Sequence, residues 1–253
     1  MLSNIEGPKK ILSKLYDSLI GFIYPPQCII CNRLHEGDLF FICPECETKL
    51  DMIDCPICLK CGAAIPAEYW TCPICKGKPL ILRVWAMGAF DDFYRPLIHA
   101  FKYEGIISAG KYLSSGLAEI IKANPHSSNI HAVIPIPLHP SRQRKRGFNQ
   151  SRLIANIIAL KLGVRHLPYD LIRVKKTRDQ TGLNHLQRIE NMRGAFTWLG
   201  KNSIAGKHVL LVDDVTTTGA TAMEAAKVLK AAKASHVSLG VIAAAGRGDA
   251  KTK

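Results

Sequence analysis

No apolar run in this 253-residue chain is long and uninterrupted enough to cross a membrane. The nearest approach is residues 8–27, where Ile11, Leu12, Leu15, Tyr16, Leu19, Ile20, Phe22 and Ile23 form a helical stripe interrupted by Lys14 and Asp17. That stretch has no small-residue cleavage site, so a secretory signal is not expected. A helix over residues 1–24, packed on the body of the protein, fits it; a helix lying on a membrane surface or a partner is the alternative. The pattern G-x-x-x-x-G-K-[ST] is also missing, which argues against an ATPase of that design. Acidic residues are scarce in the longer part of the chain. Residues 1–79 hold 8 basic and 9 acidic side chains, whereas residues 80–253 hold 26 and 11, so the formal charge of +14 belongs to the latter. A field of that sign attracts polyanions and phosphorylated metabolites.

What the chain does have is cysteine in pairs. Cys28-x-x-Cys31 is followed after eleven residues by Cys43-x-x-Cys46, and Cys58-x-x-Cys61 after ten by Cys72-x-x-Cys75. Two such knuckles supply four thiolates in a tetrahedron, so residues 25–79 read as a double zinc ribbon with two structural Zn2+; S4 geometry also suits an iron–sulfur cluster. Pro44, Pro73 and Gly62 tighten the knuckle turns and leave N–H groups for sulfur. Cys55 makes the count odd and competes with Cys58, since C55-P-I-C58 and C58-L-K-C61 overlap; the more usual Cys61-Gly62 form assigns Cys58 and Cys61 as ligands. Paired thiols without a disulfide pattern point to a reducing, cytoplasmic setting. A module this small has little core, so metal binding would supply its folding energy. Phe40, Phe41, Tyr69 and Trp70 read as hairpin packing, with base stacking as the alternative.

The organising stretch of residues 80–253 is V-L-L-V-D-D-V-T-T-T-G-A-T, Val209 to Thr221. Four apolar residues ending on two carboxylates describe a buried parallel strand that delivers Asp213 and Asp214 to its C-terminal edge. Thr216, Thr217, Thr218, Gly219, Ala220 and Thr221 then supply hydroxyls, a turn and a helix N-terminus, which together make a phosphate seat. Carboxylates repel a bare phosphate. They should face something a few ångströms away, either ribose hydroxyls or a Mg2+ brought by the ligand.

Around this stretch the pattern is that of an open α/β sheet. Val84–Phe90, Ala132–Ile136, Leu171–Val174, Ala195–Trp198 and His236–Ala243 read as strands. Arg95–Tyr103, Tyr112–Ile121, Leu153–Leu162 (closed by Gly163) and Thr221–Lys233 read as helices. Arg142, Arg144, Lys145, Arg146 and Arg152 fall within eleven positions that contain no acid, a costly cluster without an anion. The polar stretch from Lys175 to Gly194, with Lys176, Arg178, Gln180, Arg188 and Arg193, reads as a loop that closes over a phosphorylated ligand. After Ala245 only G-R-G-D-A-K-T-K remains, so no apolar wall for an acceptor is visible at that end.

These motifs carry a resemblance. The strand–Asp-Asp–threonine stretch is similar to the ribose-phosphate signature of type I phosphoribosyltransferases. With the cysteine pairs and I-P-I-P-L-H-P-x-R-x-x-x-R-G-F-N-Q, the chain resembles the ComF family of competence-associated proteins from about Cys28 to Ala244. The resemblance implies a double zinc ribbon ahead of a phosphoribosyltransferase-like domain at residues 80–253. It implies a cytoplasmic protein of natural transformation that binds single-stranded DNA and, with Mg2+, phosphoribosyl pyrophosphate or another ribose phosphate. It further implies Lys102 as a phosphate ligand and Pro135, Ile136, Pro137 and Leu138 as the loop facing pyrophosphate, and Asp213 and Asp214 as the acidic pair at the reacting sugar. The basic residues Arg142, Arg144, Lys145, Arg146, Lys176, Arg178 and Arg188 would serve nucleic acid or pyrophosphate. A helicase or recombination protein would dock on the ribbons. An active phosphoribosyltransferase of unknown acceptor is the other reading, and the sequence leaves turnover open.

Overall fold

The computed structural model describes residues 26–50, 52, 53, 56–58, 65, 69, 79–177, 184–200 and 202–245. The chain divides into two compact units, residues 1–50 and 51–253. The N-terminal stripe, Cys55, Cys61, Cys72, Cys75, Trp70, Arg178 and Gln180 lie outside the described residues. Among the described residues no helix is long and apolar enough to cross a membrane.

The first unit is built on its knuckles. Asn32, at φ 58°, donates its N–H to the Cys28 carbonyl at 2.8 Å, and the Cys28 N–H reaches the Arg33 carbonyl at 2.9 Å. The second knuckle opens helix α1 (Pro44–Glu47), where Pro44 stands at a position whose N–H would have no helical partner anyway. Phe41 is buried and Phe40 exposed.

In the second unit the chain runs β1 (Val84–Ala89), α2 (Tyr94–His99), a π turn (Ala100–Glu104), α3 (Ile107–Ala123), β2 (Ile130–Pro135), α4 (Pro140–Arg146), α5 (Gln150–Leu162) and β3 (Arg165–His166). It continues through β4 (Leu171–Arg173), α6 (His185–Met192), β5 (Phe196–Trp198), β6 (His208–Thr216), α7 (Ala220–Ala231) and β7 (His236–Ala244). Five strands form one parallel sheet in the order β1-β7-β6-β2-β3, which puts β6 in the middle. Its residues Val209 to Val212 are fully buried because each face of the sheet is covered. Val209 and Leu211 pack with Ala222, Ala225, Ala226 and Leu229 of α7. Leu210 points the other way, to where Gly240 lets Leu117 and Ile121 of α3 approach the sheet; a Cβ there would meet Ile121 at 3.3 Å.

Two features differ from the sequence reading. Leu171–Arg173 is a strand, but it pairs antiparallel with β5 in a separate two-stranded sheet and does not join the main one. The stretch expected to be loop from Lys175 to Gly194 contains α6, started by an Asn184–Gln187 capping box. The Gly194 N–H donates to Glu224 of α7 at 2.8 Å and ties this small sheet to the body.

At the opposite edge from the aspartates, buried His208 at the start of β6 bonds the Ser238 hydroxyl at 3.0 Å. Burial, then His236, His131, Arg83 and His126, lower its pKa to about 4 from 6.5. The unfolded chain therefore takes up this proton first, and stability present above pH 6.5 is lost as pH falls toward 4. The expected loss is about 3 kcal/mol. Thermal melts between pH 4 and 7 should show a steep acid limb that His208→Gln flattens; an unchanged limb would assign the acid sensitivity elsewhere.

Candidate ligand site and metal centre

The metal centre is geometric. Cys28, Cys31, Cys43 and Cys46 place their sulfurs within 4.8 Å of one another, and Cys31 and Cys43 are 3.7 Å apart. A tetrahedron of Zn–S bonds has S···S edges of about 3.8 Å, so the four thiols fit one Zn2+ with little adjustment. A backbone hydrogen bond from Arg33 contributes most to holding Cys31 down at about 6, while burial pushes Cys46 up to about 12. Of the second expected set, Cys58 is buried and its three companions lie outside the described residues.

The ligand site lies at the C-terminal edge of β6. Asp213 and Asp214 line a cavity of about 450 Å3 together with Lys102, Tyr103, Ile136, Pro137, Leu138, Arg142, Arg146, Arg173, Arg188, Val215, Thr217 and Thr221. A small depression of about 30 Å3 adjoins it, formed by residues 215–222 with Asp213 and Leu239, so Thr216, Thr218, Gly219 and Ala220 sit there. Gly219 has φ 73°, the left-handed conformation that lets the strand turn into α7, and the Thr218 hydroxyl accepts from the Ala220 N–H at 3.4 Å.

Each wall has a local cause. Asn149 accepts from the Ser151 N–H at 3.1 Å to cap α5 and donates to the Ile136 carbonyl at 3.3 Å, so the F-N-Q stretch clamps the loop after β2. That cap brings the Ser151 hydroxyl to Asp213, donating at 2.9 Å, while the Asp214 N–H donates to the same oxygen. Burial, then the charge of Asp214, push the Asp213 carboxyl well above the usual carboxylate range; Lys102 and Ser151 pull the other way. The π turn buries Phe101 and sets its neighbour Lys102 at the cavity, where Nζ pairs with Asp214 at 2.7 Å. Arg146 lies 4.9 Å from the centre of the Tyr103 ring and donates to its hydroxyl at 2.8 Å. Arg188 reaches from α6 to donate to Thr217 at 2.9 Å.

Of the residues expected from sequence, Pro135 is buried at the end of β2, and Arg144 and Lys176 are exposed; none of the three lines the cavity. Arg152 stacks on Tyr169 at 4.5 Å, away from the cavity lining. Sequence reasoning missed Ser151, Tyr103 and Arg173. Ser151 directly follows the F-N-Q stretch, which was the available signal. Arg173 was hidden as the one charge inside an apolar strand pattern. Positive charge is dense here: burial, then Arg173, Lys176, Arg144 and Arg142, hold His139 below its ordinary range.

A strand ending on paired acids, a threonine turn and a helix N-terminus, in the middle of a parallel sheet, define a phosphoribosyltransferase-type α/β domain. The phosphoribosyl transferase domain family matches residues 149–253, and the double zinc ribbon domain family matches residues 19–77. Competence protein F of Haemophilus influenzae is 29% identical over 213 residues, covering 81% of this chain and 90% of that protein. Competence protein ComFC of Bacillus subtilis is 27% identical over 241 residues, covering 86% and 95%. At the family level the chain matches these competence proteins, with a double zinc ribbon ahead of a phosphoribosyl transferase domain. Among solved structures, the glutamine phosphoribosylpyrophosphate amidotransferase of B. subtilis overlays 52% of this chain at 20% identity and a TM-score of 0.35. This chain spans only 25% of that enzyme, and so partial an overlay says nothing about ligand or activity.

Proposed function

We propose that the protein acts in DNA uptake or recombination in the cytoplasm, and that its α/β unit binds Mg2+-bound phosphoribosyl pyrophosphate or a related ribose phosphate. The observation behind this reading is one cavity in which Asp213 and Asp214 meet five cationic side chains beside a threonine turn. A 5′-phosphate would rest on Thr217–Thr221, and the ribose hydroxyls would donate to Asp213 and Asp214. The diphosphate would lie along Ile136–Leu138 and the cations, with Lys102 shifting its charge from Asp214 to the ligand. Mg2+ would be held by the ligand's own oxygens and would screen their charge; the cavity offers it no carboxylate cage, since Asp214 is paired with Lys102. Titration calorimetry with phosphoribosyl pyrophosphate and Mg2+ should give saturable one-site binding. Absence of heat at millimolar ligand would overturn the reading.

We further propose single-stranded DNA as a second partner, a reading with which the positive charge of residues 80–253 and the competence names of the relatives agree, and a helicase or recombination protein on the zinc ribbons. Exposed Arg144 stands outside the cavity, in the basic α4 segment that also contains Lys145. In Arg144→Gln/Lys145→Gln, the slope of log affinity for single-stranded DNA against log salt should shrink by roughly 0.7 per lost phosphate contact. Small-ligand binding should hold. An unchanged slope would move DNA off this segment.

Turnover is the second reading, favoured by the excess of cations over carboxylates in the cavity. Breaking the bond from C1′ to the diphosphate oxygen sends the electron pair to the leaving group and leaves a cationic sugar beside two carboxylates. Pyrophosphate release on addition of candidate acceptors is the assay, and no release with any acceptor would leave binding alone.

A further inference from the structure

We infer that Tyr169 and Arg152, beside the edge strand β3 and outside the ligand cavity, form a nucleotide-stacking site that makes the protein prefer single-stranded to duplex DNA. The inference rests on the proposed binding of single-stranded DNA and adds to it a place and a physical cause for the preference. Arg152 belongs to the acid-free basic run, yet it takes no part in lining the cavity. It stands in the first turn of α5, behind the Asn149 cap. Its guanidinium lies over the Tyr169 ring, 4.5 Å from the centre. Tyr169 is still 60% exposed, so a ring held by Arg152 on one side keeps an open aromatic surface toward solvent.

Among the described residues no carboxylate matches the Arg152 charge. The nearest acid along the chain from Tyr169 is Asp170, and it is committed elsewhere: Asn202 donates to both its oxygens at 2.9–3.1 Å. The titratable group that faces Arg152 is His166 of β3, held below its ordinary range by burial and then by Arg152, so the imidazole is neutral at pH 7. Its Nε2 and the Arg152 Nε are both buried without a hydrogen-bond partner. Arg165, the other residue of β3, is exposed and adds a further cation, donating to the Asn202 side-chain oxygen. A guanidinium beside an open aromatic ring matches one nucleotide, with the phosphate on the cation and the base stacked on the ring. Charge alone attracts either form of DNA. Stacking separates them, because bases inside a duplex are already stacked on one another and those of a single strand are free to meet the ring.

The test compares one mixed-sequence oligonucleotide as a single strand and as a duplex, by filter binding across a salt series. Tyr169→Ala should weaken single-strand binding by roughly 5- to 150-fold and leave the duplex within about twofold. The slope of log affinity against log salt should not change in this variant, because no phosphate contact is lost. Tyr169→Trp keeps a stacking face and should restore the preference. In Arg152→Gln the single-strand slope should shrink by roughly 0.7, and an unchanged slope in the folded variant overturns the pairing of cation and ring. If Arg152→Gln does not fold, the exposed Tyr169 decides. Equal losses for single strand and duplex in Tyr169→Ala, or no rescue by Trp, would overturn the inference and give Tyr169 a structural role. If wild type does not bind single-stranded DNA, the DNA reading itself fails and the stacking site with it. If wild type binds it and Tyr169→Ala keeps the full preference, or wild type shows none, only the stacking site fails.

Discussion

In the Asp213→Ala/Asp214→Ala double variant, affinity for phosphoribosyl pyrophosphate should fall by at least about 100-fold while the domain stays folded. Each carboxylate would accept charge-assisted hydrogen bonds from the sugar, and neither contributes to the core. Stability should move little, for opposing reasons. Asp213 has a raised pKa, so the fold penalises its ionised form above the usual carboxylate range, and removing it is favourable at neutral pH. Removing Asp214 leaves Lys102 without its partner at a site where that side chain is 16% exposed, an unfavourable change. Calorimetry beside a thermal melt separates the outcomes. Retained affinity in a folded double variant would refute the assignment of the acids to the sugar, and a melting loss of many degrees would make them structural.

Cys43→Ser should remove about one Zn2+ per chain and unfold residues 26–50. Four sulfurs at tetrahedral spacing take the place of a hydrophobic core there, and a structural Zn2+ of this kind contributes roughly 10–16 kcal/mol of apparent binding free energy. Limited proteolysis should then cut this unit early. Because the α/β unit has its own core, phosphoribosyl pyrophosphate binding in the same variant should persist. Unchanged zinc content would show that the thiols of this cluster are not the ligands.

The central strand was legible because composition alone specifies it: a run such as Val209–Val212 is stable only when both faces are covered, and the two acids must then emerge at its end. Gly163 likewise announced the end of α5, where it adopts φ 67°. Helix α6 was not legible from periodicity. Its apolar residues are only Leu186, Ile189 and Met192, a stripe too short to set against the surrounding polar residues, and of the three Met192 alone is buried; the Asn184–Gln187 cap was the other mark. The separate sheet of β4 and β5 depends on pairing between residues 171–173 and 196–198, which no local pattern encodes. For the same reason Arg173 could not be placed at the cavity: its setting depends on Thr177 and Met192, brought to it by the fold. The π turn at Ala100–Glu104 had no sequence signal beyond Gly105, which closes it at φ 73°.

The strand order also dictates a timetable for synthesis. Val84 of β1 pairs with Leu239 of β7, so the first strand of the sheet hydrogen-bonds to the last one made. Its fully buried Val84, Trp85 and Ala86 leave the ribosome about 150 residues before their partner exists, an interval of roughly 10–30 s at ordinary elongation rates. During that interval β2 and β6 can already pair, while the edge of β1 that will meet β7 lacks its strand partner and only the other edge has the Ile53 and Ile57 backbone to bond. A nascent chain with this topology therefore depends on whatever shields that open edge, and the sheet closes only when residues 236–244 have emerged.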